Sequence, residues 1–256
     1  GDSNNPVIQN LGKVVQEEFL HSSNNPMPTT ALSIDAVHLT IRGSGETWDA
    51  TTVCDSLMGS SKSNEQKRYL LGELNRSESS FSPTEITAIQ ALDKVMLVGY
   101  SAGANHALSA AAAKYGAEKN FSGLVVLNPV LGWPRSVGLF TAPGSFGAGG
   151  REWPILLLQS YVDEFTSTTT FLSYCRDVVG VAGSSTVGSE SANKQTLDAA
   201  IASGLTLTGD AGSGVFWDAQ RRAGCGVLGR GSSHFLVPEA IMIPAVREWV
   251  GRAFGK

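Results

Sequence analysis

The pentapeptide Gly-Tyr-Ser-Ala-Gly at residues 99–103 could supply a nucleophile to a covalent reaction. It lies between an apolar run, residues 94–98, and an alanine-rich stretch that begins after Asn105. A G-x-S-x-G sequence between a strand and a helix is typical of a sharp, strained turn, which only small neighbouring residues allow. Such a turn would lift the hydroxyl of Ser101 clear of the sheet, where it could attack a carbonyl carbon.

A serine hydroxyl needs a base to take its proton, and histidine most often fills that role. The chain has four histidines. Three of them have ordinary structural positions, at a helix end, inside a strand and in the helix after the serine: His21, His38 and His106. His234 lies in a glycine- and serine-rich segment, residues 229–235, which we expect to be a flexible loop that reaches Ser101.

The histidine in turn needs an acid that holds it in the correct tautomer. Asp163 closely follows the apolar run 155–158, and open α/β sheets assemble their sites at the carboxyl ends of strands. Asp163 could instead cap a helix, because Thr166 and Ser167 follow it. Other acids follow a strand less directly: Glu164, Asp177, Asp198, Asp210 and Asp218. We therefore favour Asp163 as the acid.

These residues need a scaffold, and the chain alternates short apolar runs with helical segments. That alternation is typical of a mostly parallel sheet with helices on both faces, so we expect an α/β fold. The predicted strands are 34–41, 69–74, 94–98, 124–127, 155–158 and 226–228. The predicted helices are 7–20, 48–58, 82–92, 102–115 and 238–254.

The whole chain, residues 1–256, is expected to form a single domain, because α/β folds of this size often do. Two stretches interrupt the alternation of strands and helices. Residues 132–151 are glycine-rich and would form a small lid loop, and residues 166–222 would form a long insertion before the last strand.

Composition excludes several classes of partner. The net charge of −4 and the scattered Lys and Arg residues give no surface for nucleic acid. No apolar run approaches the roughly 20 residues of a membrane span, and the first residues do not look like a signal peptide. The compartment stays open, with the cytoplasm slightly favoured over secretion. No histidine pair has metal-ligand spacing, so we expect neither a metal nor another cofactor.

The three cysteines, Cys54, Cys175 and Cys225, lack the paired spacing of metal or redox sites. Isolated buried thiols are the favoured interpretation. A disulfide between Cys175 and Cys225 is the alternative, because it would close a long polar segment.

The order Ser101, Asp163, His234 resembles that of the α/β-hydrolase family, and the resemblance extends over about residues 34–254. It implies an α/β-hydrolase fold with two backbone amides that form an oxyanion hole. One would belong to Ala102. The other would belong to Ser44, in a turn at residues 42–45 where arginine replaces the histidine of the family, with Gly43 and Gly45 as alternatives.

The resemblance also implies an enzyme: a serine hydrolase, similar to esterases, lipases and thioesterases, that forms an acyl-enzyme on Ser101. A small apolar ester, lactone or thioester is the expected substrate, because the two interrupting stretches are rich in aromatic residues. Five of these are candidate substrate contacts: Trp133, Phe140, Phe146, Phe216 and Trp217. The alternatives are an acyltransferase or macrocyclising thioesterase, and a ligand-binding protein without catalysis.

Overall fold

A computed structural model describes seven stretches of the chain, residues 6–21, 95–113, 121–131, 153–181, 195–205, 214–218 and 223–254. Four predicted elements lie outside these residues, at 34–41, 48–58, 69–74 and 82–92. The predicted lid at 132–151 lies outside them as well.

Five strands of the described residues form one sheet. They are β1 Val95–Tyr100, β2 Phe121–Leu127, β3 Ile155–Val162, β4 Gly214–Trp217 and β5 Ala223–Ser233. Their order across the sheet is β1-β2-β3-β5-β4. Every neighbouring pair is parallel except β4 with β5, which is antiparallel. The mostly parallel sheet predicted from the alternating pattern is confirmed.

The described helices are α1 Pro6–His21, α2 Ala102–Ala113, α3 Thr168–Tyr174, α4 Leu197–Ser203 and α5 Glu239–Phe254. A π-helical turn, Cys175–Val179, continues α3. Hydroxyl side chains cap two of the helices: Ser167 Oγ accepts the Thr170 N–H, and Thr196 Oγ1 accepts the Ala199 N–H. Within the described stretches, no helix has the length and apolar character that crossing a membrane requires.

The sheet is buried on both faces, which explains why β2 and β3 read as continuous apolar runs. Successive side chains of a strand point to opposite faces. In β2, Leu124 and Val126 pack in a cluster with residues of α2, α3 and α4, whereas Val125 and Leu127 pack in a cluster with residues of α1 and α5. All four side chains are fully buried. The described residues therefore form an α/β fold with helices on both faces.

The stretch 166–222 precedes the last strand, as predicted, and contains several elements of the fold. Helix α3 and the π-helical turn follow β3 on the way to β5, and they carry the buried Phe171 and Leu172. Helix α4 and the antiparallel strand β4 lie in the same stretch. Much of the stretch is therefore packed onto the sheet.

Strand β5 extends beyond the predicted 226–228 and ends at Ser233. Its register with β3 shifts between the pairs Ser160–Leu228 and Val162–Ser233, so that β5 bulges there. The Ser232 hydroxyl accepts the Tyr161 N–H at 2.8 Å and lies 2.6 Å from the Gly229 carbonyl oxygen, to which it donates. The segment predicted as a flexible loop, residues 229–235, is therefore mostly strand. His234 directly follows the last residue of that strand.

A disulfide joins Cys175, at the start of the π-helical turn, to Cys225 in β5. The two Cα atoms lie 6.3 Å apart, within the usual range for a disulfide, and both residues are fully buried. The interpretation of isolated thiols is therefore wrong for this pair. Cys54 lies outside the described residues.

Candidate active site

Ser101 is the single residue between the end of β1 at Tyr100 and the start of α2 at Ala102. Its φ of 56° is in the left-handed region, which a serine rarely adopts without support from its surroundings. The support includes a hydrogen bond in which the Ser101 N–H donates to the Leu127 carbonyl at 3.0 Å. The side chain is half-buried, so the hydroxyl is held at a surface that a ligand could reach.

The two glycines of the pentapeptide have different roles. A methyl group at Gly99 would come within 2.6 Å of the Gly103 carbonyl oxygen and 2.7 Å of the Ala104 Cα, both of which are main-chain atoms. Gly99 is therefore required for the close approach of α2 to β1. A methyl group at Gly103 would meet nothing within 4 Å, so close packing does not require that glycine.

Asp163 directly follows β3, and its two carboxylate oxygens have separate partners. Oδ1 accepts the N–H groups of Phe165 and Thr166, at 2.9 and 2.8 Å. Oδ2 lies 2.6 Å from Nδ1 of His234. The carboxylate thus orders the turn after β3 and contacts the histidine, whereas the cap of the following helix is Ser167, so the interpretation of Asp163 as a helix cap is wrong.

His234 connects the acid to the serine. Its Nε2 lies 2.8 Å from the Ser101 Oγ, and both its ring and the Asp163 carboxylate are almost completely buried. Because an ionised carboxylate can only accept, the hydrogen on the ring belongs on Nδ1, and Nε2 is left to accept the hydroxyl proton. The structure brings the three predicted residues together in the order serine, histidine, aspartate. The arrangement can transfer the Ser101 proton to His234 while Oγ bonds to an electrophile.

The main chain of His234 is held by three side chains from the ends of three strands. The Tyr100 hydroxyl and the Asn128 Nδ2 donate to its carbonyl oxygen, at 2.6 and 2.9 Å. Its N–H donates to Glu164 Oε2 at 3.0 Å. The Tyr100 ring also stacks on the imidazole, with centroids 5.6 Å apart. These contacts set the position from which the imidazole reaches Ser101.

Asn128 is a part of this site that the sequence analysis did not identify. It follows β2 directly, has a left-handed φ of 49° and is fully buried. Its Oδ1 accepts the Ser160 N–H at 2.7 Å, so one side chain ties the ends of β2 and β3 to His234. Its position immediately after an apolar strand could have identified Asn128 as a candidate, because the same criterion selected Asp163.

The turn after β2 is held by two further polar residues. Asn105 of α2 forms a double hydrogen bond with the main chain of Val130, with both distances at 2.8–2.9 Å. Thr166 donates to the Pro129 carbonyl and accepts the Leu131 N–H. The turns that follow β2 and β3 are thus bonded to each other and to the helix that begins at the nucleophile.

Ser101, His234 and Asp163 together are called the triad below. Four exposed apolar residues lie within two positions of Asp163 or His234 in the chain and form what we call the apolar rim: Val162, Phe165, Phe235 and Leu236. The Phe165 and Phe235 rings contact the His234 imidazole edge to face, with centroids 4.6 and 4.9 Å away. Leu236 closes a tight turn with Ser233 through two main-chain hydrogen bonds. The two phenyl rings of the rim therefore contact the triad at His234.

Of the two predicted oxyanion amides, the structure describes one. Ala102 is the first residue of α2, where the N–H groups of the first helical turn have no partner within their own helix. Such amides bind negative charge well, and Ala102 lies beside Ser101. Ser44, with its alternatives Gly43 and Gly45, lies outside the described residues.

Two of the five predicted aromatic contacts fall within the described residues, and neither of them lines the site. Phe216 and Trp217 lie in β4 and are buried in the core, on opposite faces of the sheet. Arg252 of α5 lies over the Trp217 ring, 4.8 Å from its centroid. Both residues were expected in a loop, and as core residues they have no surface for a substrate. The other three predicted contacts lie outside the described residues: Trp133, Phe140 and Phe146.

The remaining candidate acids and histidines have other positions. Asp177 and Asp198 both bond to Arg176, and Asp218 accepts the Ala223 N–H. His21 ends α1 and His106 lies within α2, whereas His38 and Asp210 are outside the described residues. Among the described residues, no group of three or more His, Cys, Asp or Glu side chains could hold a metal ion.

Comparisons with known proteins find similarity among solved structures. No protein-family model and no curated protein matches the chain significantly. The solved structure of an alpha-beta serine hydrolase homologue from Coxiella burnetii is similar, with 14% sequence identity and a TM-score of 0.41. The alignment covers 96% of this chain and 76% of that one. Both values are low, so the similarity carries no information about the reaction or the substrate.

Proposed function

We propose that this chain is a serine hydrolase of the α/β-hydrolase type that cleaves carboxylic esters, lactones or thioesters through an acyl-enzyme on Ser101. The observation that carries the proposal is the unbroken hydrogen-bonded series from Ser101 Oγ through His234 to Asp163, at 2.8 and 2.6 Å. A binding protein would not need a strained serine, a buried imidazole and a buried carboxylate in this sequence of contacts.

The proposed reaction has two halves. In the first, Ser101 Oγ bonds to the carbonyl carbon of the substrate while His234 Nε2 takes the hydroxyl proton. The bond to the leaving group breaks, and the imidazolium gives that proton to the leaving atom. In the second half, a water attacks the acyl carbon while His234 Nε2 takes a proton from that water. The bond between the acyl carbon and Ser101 Oγ breaks, and the imidazolium returns the proton to Oγ, which releases the acid. The Ala102 amide would stabilise the oxyanion in both halves.

An apolar substrate fits the surroundings of the triad better than a charged one. The apolar rim presents two phenyl rings that contact the His234 imidazole and two exposed aliphatic side chains. Exposed apolar surface next to polar groups of this kind is typical of binding sites for apolar ligands.

Turnover of a p-nitrophenyl ester tests the proposal. We expect the chain to release p-nitrophenol from the acetate above the uncatalysed rate, and Ser101→Ala to lower kcat by about a thousandfold or more. The matched control is the Ala variant prepared in the same way and shown by circular dichroism to be folded. Equal turnover by the two proteins would refute the proposed nucleophile.

A further inference from the structure

We propose that the apolar rim binds the alcohol part of an ester, the part that leaves when Ser101 is acylated. The inference rests on the proposed function and adds which side of the ester the chain selects. The proposed ligand is an ester whose alcohol is a long or bulky apolar group. The acyl part of that ester would contact residues outside the rim.

The exposure of the rim is the first observation. Val162, Phe165, Phe235 and Leu236 are 54%, 51%, 68% and 65% exposed, and they are the exposed large hydrophobic residues of the described chain. Val162 ends β3, and the other three lie in the turns that carry Asp163 and His234. Exposed apolar surface is unfavourable, and among the described residues it lies beside Asp163 and His234, which favours an apolar ligand at that place.

The path of the proton decides which part of the ester lies there. As the bond between the acyl carbon and the alcohol oxygen breaks, the proton taken from Ser101 Oγ passes from His234 Nε2 to that oxygen. The transfer requires the oxygen to come within about 3 Å of Nε2. The alcohol is therefore the part of the substrate held against the imidazole.

The contacts of the imidazole decide where the alcohol can extend. His234 is fully buried, stacked on Tyr100 and covered by the edge-to-face rings of Phe165 and Phe235. Ser101 beside it is half-buried, so the ester reaches the triad at the serine. An alcohol chain that starts next to Nε2 would then run outward over the exposed Phe165 and Phe235, towards Leu236, which follows Phe235.

Two isomeric esters separate the alcohol side from the acyl side. Octyl acetate and ethyl octanoate contain the same atoms, but the long chain lies on the alcohol in the first and on the acyl group in the second. In an equimolar mixture, the initial ratio of octanol to octanoate formed equals the ratio of the two kcat/KM values. We expect the double variant Phe165→Ala/Phe235→Ala to lower this ratio by about tenfold relative to the unmodified chain.

The ratio also separates binding from a general structural effect, since damage to the triad would slow both isomers equally. The matched control is Phe254→Ala, which removes a phenyl ring of α5 that packs on Trp249 and should leave the ratio unchanged. If the double variant cleaves both isomers in the same ratio as the unmodified chain, the alcohol subsite is refuted while the proposed function stands.

Two further outcomes would also overturn the inference. If the unmodified chain cleaves no ester faster than Ser101→Ala does, the proposed function fails and the subsite fails with it. If the double variant keeps the ratio but dissociates in sedimentation velocity from dimer to monomer, a second copy of the chain covers the rim instead of a substrate.

Discussion

The two carboxylate oxygens of Asp163 have separate roles. Its Oδ1 orders the turn after β3 and its Oδ2 contacts His234, whereas the helix cap that the sequence also suggested for Asp163 is Ser167. The two roles can be separated by Asp163→Asn, because the asparagine side chain keeps one oxygen for the turn and replaces the other with an NH₂ group.

We therefore predict that Asp163→Asn stays folded and loses activity. Its Oδ1 can still accept the turn amides, whereas its NH₂ group would face Nδ1 and favour the wrong tautomer of His234. We expect kcat for a p-nitrophenyl ester to fall by about a thousandfold to ten-thousandfold, with an unfolding midpoint near that of the unmodified chain. A variant with more than a tenth of the original kcat would exclude Asp163 as the acid.

Asn128 and Tyr100 are positioning residues in this account, because both donate to the His234 carbonyl. Asn128→Asp keeps an acceptor for the Ser160 N–H, but it replaces the donor to His234 with a negative charge. We predict that kcat falls by about tenfold or more while KM changes little, because the imidazole moves relative to Ser101. Tyr100→Phe should cost less, since Asn128 still donates to the same carbonyl.

The contrary result for these variants would be a lowered unfolding temperature with an unchanged kcat. In that case the hydrogen bonds would stabilise the fold without setting the position of His234. Steady-state kinetics and thermal unfolding, measured on the same samples, distinguish the two possibilities.

The sequence predicted that Ser101, His234 and Asp163 lie together, as they do, whereas it did not indicate the residues that position His234. Ser101, Asp163 and His234 belong to side-chain types that few other roles require in that order. Tyr100 and Asn128 bond to a main-chain carbonyl of a residue more than a hundred positions away. Any polar side chain at the end of a strand could make such a bond, so only the fold reveals which ones do.

At the scale of elements, buried parallel strands were the easiest to predict. β2 and β3 are continuous apolar runs, because both of their faces are covered. β5 was mostly read as a loop, because its glycines and serines resemble a flexible segment. These glycines and serines form a bulge in β5, where Ser232 Oγ accepts a hydrogen bond from the neighbouring strand β3. The bulge depends on that neighbour, so the local sequence does not indicate it.

The disulfide between Cys175 and Cys225 joins two such elements, the crossover after β3 and the strand that leads to His234. The cysteines are 50 positions apart, and closing a loop of that length in the unfolded chain stabilises the fold by about 2 to 4 kcal/mol. We predict that the double variant Cys175→Ala/Cys225→Ala loses about that free energy of unfolding in urea and becomes insensitive to a reducing agent.

Cys54→Ala is the matched control, in which the disulfide persists and the sensitivity to reduction remains. Peptide mapping without reductant should find the Cys175–Cys225 cross-link in the unmodified chain and in this control. Free thiols at both positions, with a midpoint that reductant does not move, would contradict the pairing.

At the scale of the whole molecule, the disulfide bears on the compartment. Disulfides persist mainly in oxidising environments, and the slight preference for the cytoplasm stays a prediction. Composition could not decide this, because buried thiols and a buried disulfide look alike in a sequence.

The aromatic residues show a similar limit of sequence interpretation. Phe216 and Trp217 were expected above the site, because they fall in a polar, glycine-rich stretch. They are core residues because they belong to β4, which pairs with β5 through contacts that only the assembled sheet provides. Phe165 and Phe235, which do flank the triad, stand next to polar residues in two separate turns.

The central claim is that Ser101 is a nucleophile activated by His234, and a fluorophosphonate probe tests it most directly. The probe reacts covalently with activated serines, so intact mass measures the number of adducts and peptide mapping finds their position. We predict one adduct per chain, on Ser101, and none on Ser101→Ala. An unlabelled native chain, or an Ala variant that is labelled as well as the native chain, would contradict the account.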